Sequence, residues 1–315
     1  MAYGYMTSSD LLSTIRRICF MPTSQSTFTD ADLLAMANEE IRMGVVPSIL
    51  QYHEEYFARD SAPVTLVASQ SNYAIPYRAT GGKFRAVFYR DAQGTLSPMS
   101  RINSEDRPFY QQSNLQNNYY AFYLKGNDVI LVPDVGTSVA GSLVFTYYMR
   151  PNSLVTSSSV ATIAEITAGA STTVYRFDQI PSGYSVSAPM DLMQTRPGHQ
   201  TISFDIYPTA IDTNAKTMTF TNTDLGASTI VGDYVALAGQ CIIPQIPSDL
   251  HDVLAQRVAI RCMEALGDKN GVALAMPKLQ EMEKNTPTLV DNRSEGESQK
   301  LVNRKSLLRS SRGSW

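Results

Sequence analysis

The hydrophobic pattern changes its period twice along the chain, and this change limits the possible folds more than any other feature of the sequence. Residues 8–60 and 247–285 repeat their apolar positions with the period of an α-helix, whereas the residues between them alternate as in β-strands. A helix with one apolar face must bury that face against another element. We therefore expect the two ends of the chain to pack together as one helical domain, with the β structure inserted between them.

The N-terminal segment predicts two helices. An apolar stripe runs through residues 11–19, and a second helix is expected after Thr29, a suitable N-cap, with Asp32 in the first turn, where the helix dipole favours negative charge. Gly44 and Pro47 are expected to end or kink this second helix, because proline removes a backbone donor and clashes with the preceding turn.

The middle of the chain predicts two antiparallel β modules. Hairpins are expected at residues 64–77, 84–99 and 119–133, and the last is the clearest because a Lys-Gly-Asn-Asp turn separates two β-prone runs. A Ser/Thr-rich break at residues 153–160 divides the region. The predicted boundaries are 61–157 for the first β module and 158–246 for the second.

Helical periodicity returns near Pro247. Ser248 is the expected N-cap and Gly267 the expected C-cap of a long helix. A further helical piece over residues 272–284 is expected to be interrupted by Pro277. The predicted helical core comprises 1–60 and 247–287, and residues 288–315, which lack periodicity, are predicted to form an extended arm.

The charge of the arm differs from that of the rest of the chain. From Ser298 onward there are five basic residues and no acidic one, although the whole chain carries a formal charge of −3. An extended segment without a core of its own gains order only on a partner. Elsewhere the acidity of the chain argues against a general nucleic-acid binder, which needs a far larger basic surface.

The sequence contains no arrangement of residues that is typical of an enzyme. Its three histidines, His53, His199 and His251, have no metal-type spacing to cysteine or acidic residues. No nucleophile motif is present, and TGGKF at residues 80–84 lacks the first glycine of a phosphate loop. A carboxylate pair assembled from distant positions stays open. We expect no catalytic residue, no metal site and no cofactor.

The cysteines and the lengths of the apolar runs indicate the cellular compartment in which the protein folds. Cys19, Cys241 and Cys262 are odd in number and far apart, which predicts free thiols and folding in a reducing compartment. No apolar run is long enough to span a bilayer, and the first residues lack the basic and apolar regions of a secretion signal. We therefore expect no membrane partner and synthesis in the cytosol.

The tyrosines of the first β module allow two interpretations. Tyr119, Tyr120, Tyr123, Tyr147 and Tyr148 fall in alternating strands. Aromatic residues pack well on sheet faces, and this is the interpretation that we favour. The alternative is a face that contacts another protein or stacks on sugars, and sugar stacking would make the protein a tail-associated carbohydrate-binding or depolymerase component.

The order of these parts resembles the head-to-tail connector, or adaptor, proteins of tailed bacteriophages. The similar segments span nearly the whole chain in a consistent order. They are FTDADLLAMANEEIRMGVVPSIL, SNYAIPYRATGGKFRAV, VGDYVALAG, IPSDLHDVLAQRVAIRCMEALGD and LVNRKSLLR. The second β module is longer than the minimal adaptor pattern requires.

The resemblance implies a structural virion protein and no enzyme. It implies an α+β fold with a helical adaptor core formed by both chain ends, inserted antiparallel β modules and an extended C-terminal arm. The expected assembly is a homo-oligomeric ring of about twelve copies below the portal, joined to tail or further neck proteins. DNA would pass through its lumen without sequence-specific binding. The expected location is the neck of the virion, after assembly in the host cytoplasm.

The resemblance also gives the arm a partner, the portal protein. Positive charge would speed docking, and apolar side chains would prolong the bound state. The candidate portal-binding residues are Leu301, Arg304, Lys305, Leu307, Leu308, Arg309, Arg312 and Trp315.

Overall fold

The computed structural model of the protein describes residues 5–21, 27–112, 120–136, 141–195, 201–225 and 229–291. Within these ranges, helices lie toward both ends of the chain and mainly antiparallel sheets lie between them. The fold class is therefore α+β, as the two changes of period predicted. None of the described helices is both long enough and apolar enough to cross a bilayer.

The first two helices, α1 (Ser8–Ile18) and α2 (Asp30–Glu40), each begin with a capping box. Thr29 is the N-cap of α2, as predicted, and its hydroxyl accepts the backbone N–H of Asp32 at 3.2 Å. The carboxylate of Asp32 accepts the N–H of Thr29 in return at 2.9 Å. Two donors that the helix itself cannot satisfy are thus paired locally, which fixes where α2 begins.

The expected break at Gly44 and Pro47 takes the form of a change in helical hydrogen bonding. A π-helical turn, Ile41–Val45, follows α2 and leads directly into α3 (Val46–Tyr52). Pro47 lies in the first turn of α3, directly after the π-helical turn, where the hydrogen-bond spacing changes. The chain therefore stays helical through both residues.

The first β module contains two sheets that share one apolar core. The elements are β1 (Ala58–Asp60), β2 (Val64–Thr65), β3 (Asn72–Ala74), β4 (Ala79–Arg90), β5 (Leu96–Pro98), β6 (Ser100–Arg101), α4 (Arg107–Gln112), β7 (Ala121–Lys125), β8 (Asp128–Val132) and β9 (Ser142–Met149). One sheet has the order β1-β9-β4-β5, with β2 also paired to β9, and the other has the order β3-β8-β7-β6. Val87, Leu131 and Phe145 belong to the shared core.

The hairpin predictions were correct for two of the three segments. β4 pairs with β5, and β7 pairs with β8 around Gly126 and Asn127. The hairpin predicted at residues 64–77 is wrong, because β2 pairs with β9 and β3 pairs with β8. β1 also begins at Ala58, inside the range predicted to be helical. Both differences come from pairing with strands that lie far away in the sequence.

The second β module is built on a seven-stranded sheet. Its strands are β10 (Ser153–Leu154), β11 (Ala161–Ala168), β12 (Thr172–Phe177), β13 (Met190–Met193), β14 (Thr201–Ile206), β15 (Ala210–Asp212), β16 (Thr217–Thr221), β17 (Tyr234–Leu237) and β18 (Gln240–Cys241). The sheet has the order β14-β13-β17-β11-β12-β16-β15, and β10 and β18 form a separate parallel pair. Tyr175, Phe220 and Val235 lie in the core of this module.

The last two helices, α5 (His251–Leu266) and α6 (Lys269–Val290), correct three predictions. A 3₁₀ turn, Ser248–Leu250, precedes α5, so Ser248 is not its N-cap. α6 runs through Pro277 without interruption and ends at Val290, so the first three residues of the predicted arm, 288–290, are helical. The helix also continues through Pro287, and Leu279 and Val290, on either side of that proline, are buried in the core that the helices share. Gly267 is the C-cap of α5, as predicted, with a φ of 73°.

Helices from the two ends of the chain share one buried apolar cluster, which we call the helical cluster. Leu11 of α1, Leu34 of α2, Leu254 of α5 and Val290 of α6 all belong to it. Tyr234 of the second β module belongs to the same cluster. The helices therefore pack against each other and share their buried cluster with β17 of the seven-stranded sheet.

A charge placed in this cluster tests the packing. Replacing Leu254, which is 0% exposed, by Asp should lower the free energy of unfolding by about 3 kcal/mol or more, because an unpaired carboxylate would be buried. The matched control is Leu266→Asp on the same helix, at a side chain that is 47% exposed, which should change stability by less than about 1 kcal/mol. Urea unfolding followed by circular dichroism measures both. Equal losses in the two variants would contradict the packing.

Candidate functional site

A buried ion cluster joins the two β modules. Arg78, just before β4, donates to both carboxylate oxygens of Asp191 on β13, with distances of 3.0 Å and 2.7 Å. The same guanidinium donates to both oxygens of Asp205 on β14, at 2.7 Å and 3.2 Å. The side chain of Arg78 is only 7% exposed and that of Asp191 is fully buried. Arg78 therefore ties the first β module to two strands of the second.

Further donors complete the coordination of Asp191. Its oxygens accept the side-chain amide of Asn152 at 3.0 Å and the backbone N–H groups of Gly239 and Asp205, each at 3.1 Å. A buried charge is tolerated only when it is paired and hydrogen bonded, and this carboxylate meets both conditions. Asn152 lies in the connection between the modules, so this short segment is fixed at the same point.

The electrostatics of the cluster favour its charged form. Burial alone would raise the pKa of Asp205, but hydrogen bonds from Arg78 and Tyr77 outweigh burial and hold it below its usual value of 3.8. For Tyr77, burial and the hydrogen bond to Asp205 raise the pKa to about 12. The carboxylate of Asp205 therefore does not accept a proton near neutral pH. The cluster is suited to holding the modules in place and unsuited to acid–base catalysis.

The described histidine, cysteine and acidic residues do not form a metal site, and at least one of them has a structural role. Among the described residues, no three histidine, cysteine or acidic side chains are grouped so as to hold a metal ion. His251 is buried at the start of α5, and its Nδ1 accepts the backbone N–H of Met6 at 2.9 Å. His199 lies outside the described residues. The structural role of His251 had no sequence signal, because its partner lies 245 residues away.

The tyrosines of the first β module mostly contribute to packing. Tyr123 and Tyr147 are buried, and Tyr120 packs against Tyr89 with ring centroids 5.5 Å apart. Tyr148 is partly buried and its hydroxyl contacts Glu54 at 3.2 Å. Tyr119 lies outside the described residues. The described members of this group thus support the interpretation as sheet packing.

A small cleft lies between α3, α5 and α6. It is lined by Tyr52, Val253, Arg257 and Glu283, among others, and has a volume of about 140 Å³. Binding sites for small organic ligands usually enclose about 300 Å³ or more. Arg257 is also occupied, since it donates to Glu40 at 3.2 Å and to Glu283. The cleft is therefore unsuited to a substrate or cofactor.

Helix α6 presents an apolar surface to solvent. Ala273, Leu274, Met276 and Pro277 in its first turns are all exposed, Leu274 by 82%. At 100° per residue these four side chains form one continuous patch, which we call the α6 patch. An apolar patch rimmed by polar residues marks a surface that associates with a partner.

The predicted portal-binding residues follow this helix. Leu301, Arg304, Lys305, Leu307, Leu308, Arg309, Arg312 and Trp315 all lie outside the described residues. The structure does describe the end of α6, from which the arm continues. Val290, the last residue of α6, is 3% exposed and belongs to the helical cluster. The base of the arm is thus anchored in the folded part of the protein.

Comparison with known proteins identifies the family. The family model described as SU10 adaptor protein matches residues 6–178, which is more than half of the chain. The chain belongs to the SU10 adaptor protein family. No curated protein matches the chain. The match covers α1 to α4 and the whole first β module, and it ends just after β12 in the second.

Membership of the SU10 adaptor family makes the protein a head-to-tail adaptor of a bacteriophage. It is a structural component of the phage particle that contacts portal and tail proteins at the neck. The resemblance noted from the sequence is therefore correct at the level of the family. Asp191 and Asp205, which complete the ion cluster of this adaptor, lie beyond the matched residues.

The ion cluster can be tested by removing its cation. Arg78→Ala leaves Asp191 buried without its partner and should cost about 3–5 kcal/mol of stability. The control is Arg176→Ala, which removes an ion pair with Glu165 whose side chains are 59% and 58% exposed and should cost less than about 1 kcal/mol. Chemical denaturation of the purified proteins compares the two. Similar costs would show that the cluster does not hold the modules.

The pH dependence provides a second readout of the same cluster. The folded-state pKa of Asp205 is lowered, so its stabilising contribution is complete above about pH 4 and is lost as the pH falls through that lowered value. Asp205→Asn should therefore have a lower Tm than the parent protein at pH 7. Below pH 4 the difference in Tm between the two proteins should become smaller. A constant difference in Tm across this range would contradict the assignment.

Proposed function

We propose that this adaptor assembles as a ring of about twelve copies below the portal and joins the portal to the tail. The observation that carries the proposal is the family match over residues 6–178. DNA passes through the lumen of the ring without sequence-specific contacts, in keeping with the formal charge of −3 of the whole chain. Assembly takes place in the host cytoplasm, and the protein carries out no catalysis.

The C-terminal arm is the part that we propose to bind the portal. The 24 residues after Asp291 could extend about 80 Å from the anchored end of α6. The five basic side chains from Ser298 onward would be attracted to acidic groups and would orient the arm as it approaches. Leu307, Leu308 and Trp315 would then supply apolar anchors. In a ring, many weak arms bind together and dissociate very slowly.

The α6 patch is the surface that we propose for contact with the neighbouring copy in the ring. It lies on the same helix that leads into the arm, so a neighbour bound there would sit beside the base of the arm. Apolar residues are favoured at the centre of such contacts, and charged ones are depleted. The sheets of the β modules supply further neutral polar surfaces for tail or neck proteins.

Deleting residues 298–315 tests the role of the arm. The truncated protein should keep its Tm, because the helical cluster ends at Val290, and it should no longer attach to purified portal rings. Sedimentation of mixtures and yields of infectious particles measure the attachment. If the truncated chain attaches and yields particles as well as the full chain does, the arm is not the portal-binding element.

Charge reversal separates the steering of the arm from its anchoring. Changing Arg304, Lys305 and Arg309 to Glu should slow association with the portal and flatten its dependence on salt. The matched control exchanges the same residues conservatively, as R304K, K305R and R309K, and should bind like the parent. Biolayer interferometry at several salt concentrations gives both rates. An unchanged association rate in the reversed variant would exclude electrostatic steering.

The α6 patch is tested by charging it. Leu274→Lys together with Met276→Lys should leave the Tm nearly unchanged, since Leu274 is 82% and Met276 38% exposed, and should weaken ring formation at least tenfold. Asn285→Lys, at an exposed position on the same helix outside the patch, is the control. Mass photometry over a range of concentrations counts the copies. Rings of normal stability in the double variant would exclude the patch as the contact.

A further inference from the structure

Two of the three cysteines meet in the helical cluster although 242 residues separate them in the sequence. Cys19 directly follows α1, and Cys262 lies on α5. The Sγ of Cys19 donates a hydrogen bond to the backbone oxygen of Ala259 on α5, at 3.3 Å. A backbone oxygen in a helix points toward the residues three and four positions later. The sulfur of Cys19 therefore lies beside Cys262.

The two thiols act on each other. A hydrogen bond between them, with burial as a second cause, raises the pKa of Cys19. The same hydrogen bond, helped by the positive charge of Arg261, lowers the pKa of Cys262 against the effect of burial. The thiolate is the reactive form of cysteine, so the pair favours a nucleophile at Cys262 with a proton donor beside it. Cys262 also contacts the sulfur of Met36 at 3.7 Å.

Exposure gives the pair a route to solvent. Cys262 is fully buried, whereas Cys19 is partly exposed at the end of α1. A small oxidant that reaches Cys19 therefore arrives next to the Cys262 sulfur. The third cysteine, Cys241, lies on β18. It is fully buried, its Sγ donates to the backbone oxygen of Asn152 at 3.4 Å, and burial raises its pKa.

We propose that Cys19 and Cys262 form a redox-sensitive pair that closes to a disulfide between α1 and α5 when the protein meets a peroxide. The Cys262 thiolate attacks one oxygen of hydrogen peroxide and becomes a sulfenic acid, and hydroxide leaves. The Cys19 sulfur then attacks the sulfenic sulfur, the S–S bond forms and a second hydroxide leaves. The two thiol protons convert both hydroxides to water, so two thiols and one peroxide yield one disulfide and two waters.

The closed pair would covalently link the two ends of the chain. A cross-link between residues 19 and 262 closes a very long loop and reduces the freedom of the unfolded chain, which stabilises the folded state. Inside the host cell the pair stays reduced, and outside the cell it closes. This consequence for the released particle rests on the proposed function, whereas the closure itself depends only on the geometry of the two thiols.

The experiment uses the purified full-length protein treated with a small excess of hydrogen peroxide. Peptide mapping without reductant should find the peptides of Cys19 and Cys262 joined, with a mass two hydrogens below their sum. Tm should rise by several degrees and return to its starting value after addition of dithiothreitol. Neither readout needs the portal, so failure here is distinct from failure of the proposed function.

Single substitutions supply the controls. Cys19→Ala and Cys262→Ala should each abolish the joined peptide and the reversible rise in Tm, whereas Cys241→Ala should retain both. Because Cys19 is partly exposed, its variant is expected to fold even if the Cys262 variant does not. The proposal is overturned if peroxide produces only sulfinic acids or cross-links between different copies, or if the joined peptide forms without a change in Tm.

Discussion

The apolar face of α5 is the constraint on which the rest of the structure depends. Ten residues of this helix are buried, more than one neighbouring helix can cover, so α1, α2 and α6 all pack on it. α1 and α2 come from the other end of the chain. Between residues 60 and 247 the chain must therefore leave the helical cluster and return to it.

The points of departure and return are fixed by directional hydrogen bonds. β10 and β18 pair in parallel where the chain enters and leaves the second β module. Asn38 of α2 binds the backbone of Leu154 in both directions, at 3.1 Å and 2.6 Å, and so ties this pair to the helices. Apolar packing by itself specifies no unique orientation, whereas bonds of this kind do. The Arg78 cluster does the same between the two β modules.

The apolar faces and ion pairs described above lie mostly in the interior, which leaves the surfaces of the adaptor available for partners. The ionic groups of α2 and α5 are largely committed within the protein, since Arg261 binds Glu39 at 2.7 Å and Glu40 at 3.2 Å. The α6 patch, in contrast, is exposed and apolar, and α6 leads into the basic arm. An exposed apolar patch beside a basic segment is suited to association with other proteins.

The elements that could be predicted from the sequence are those that local interactions stabilise. Examples are the capping pair Thr29 and Asp32, the C-cap Gly267 and the β7–β8 hairpin. Each involves residues within a few positions of one another, so a short sequence pattern predicts it. The resemblance to phage adaptors likewise came from the order of such local segments.

Long-range packing sets the partners of β2 and β3, the continuation of α6 through Pro277, the ion cluster of Arg78 and the meeting of Cys19 with Cys262. In the ion cluster the partners lie 113 and 127 residues apart. Which of many distant groups meet is decided by how all the apolar faces can be buried at once, and no local pattern in the sequence carries that information.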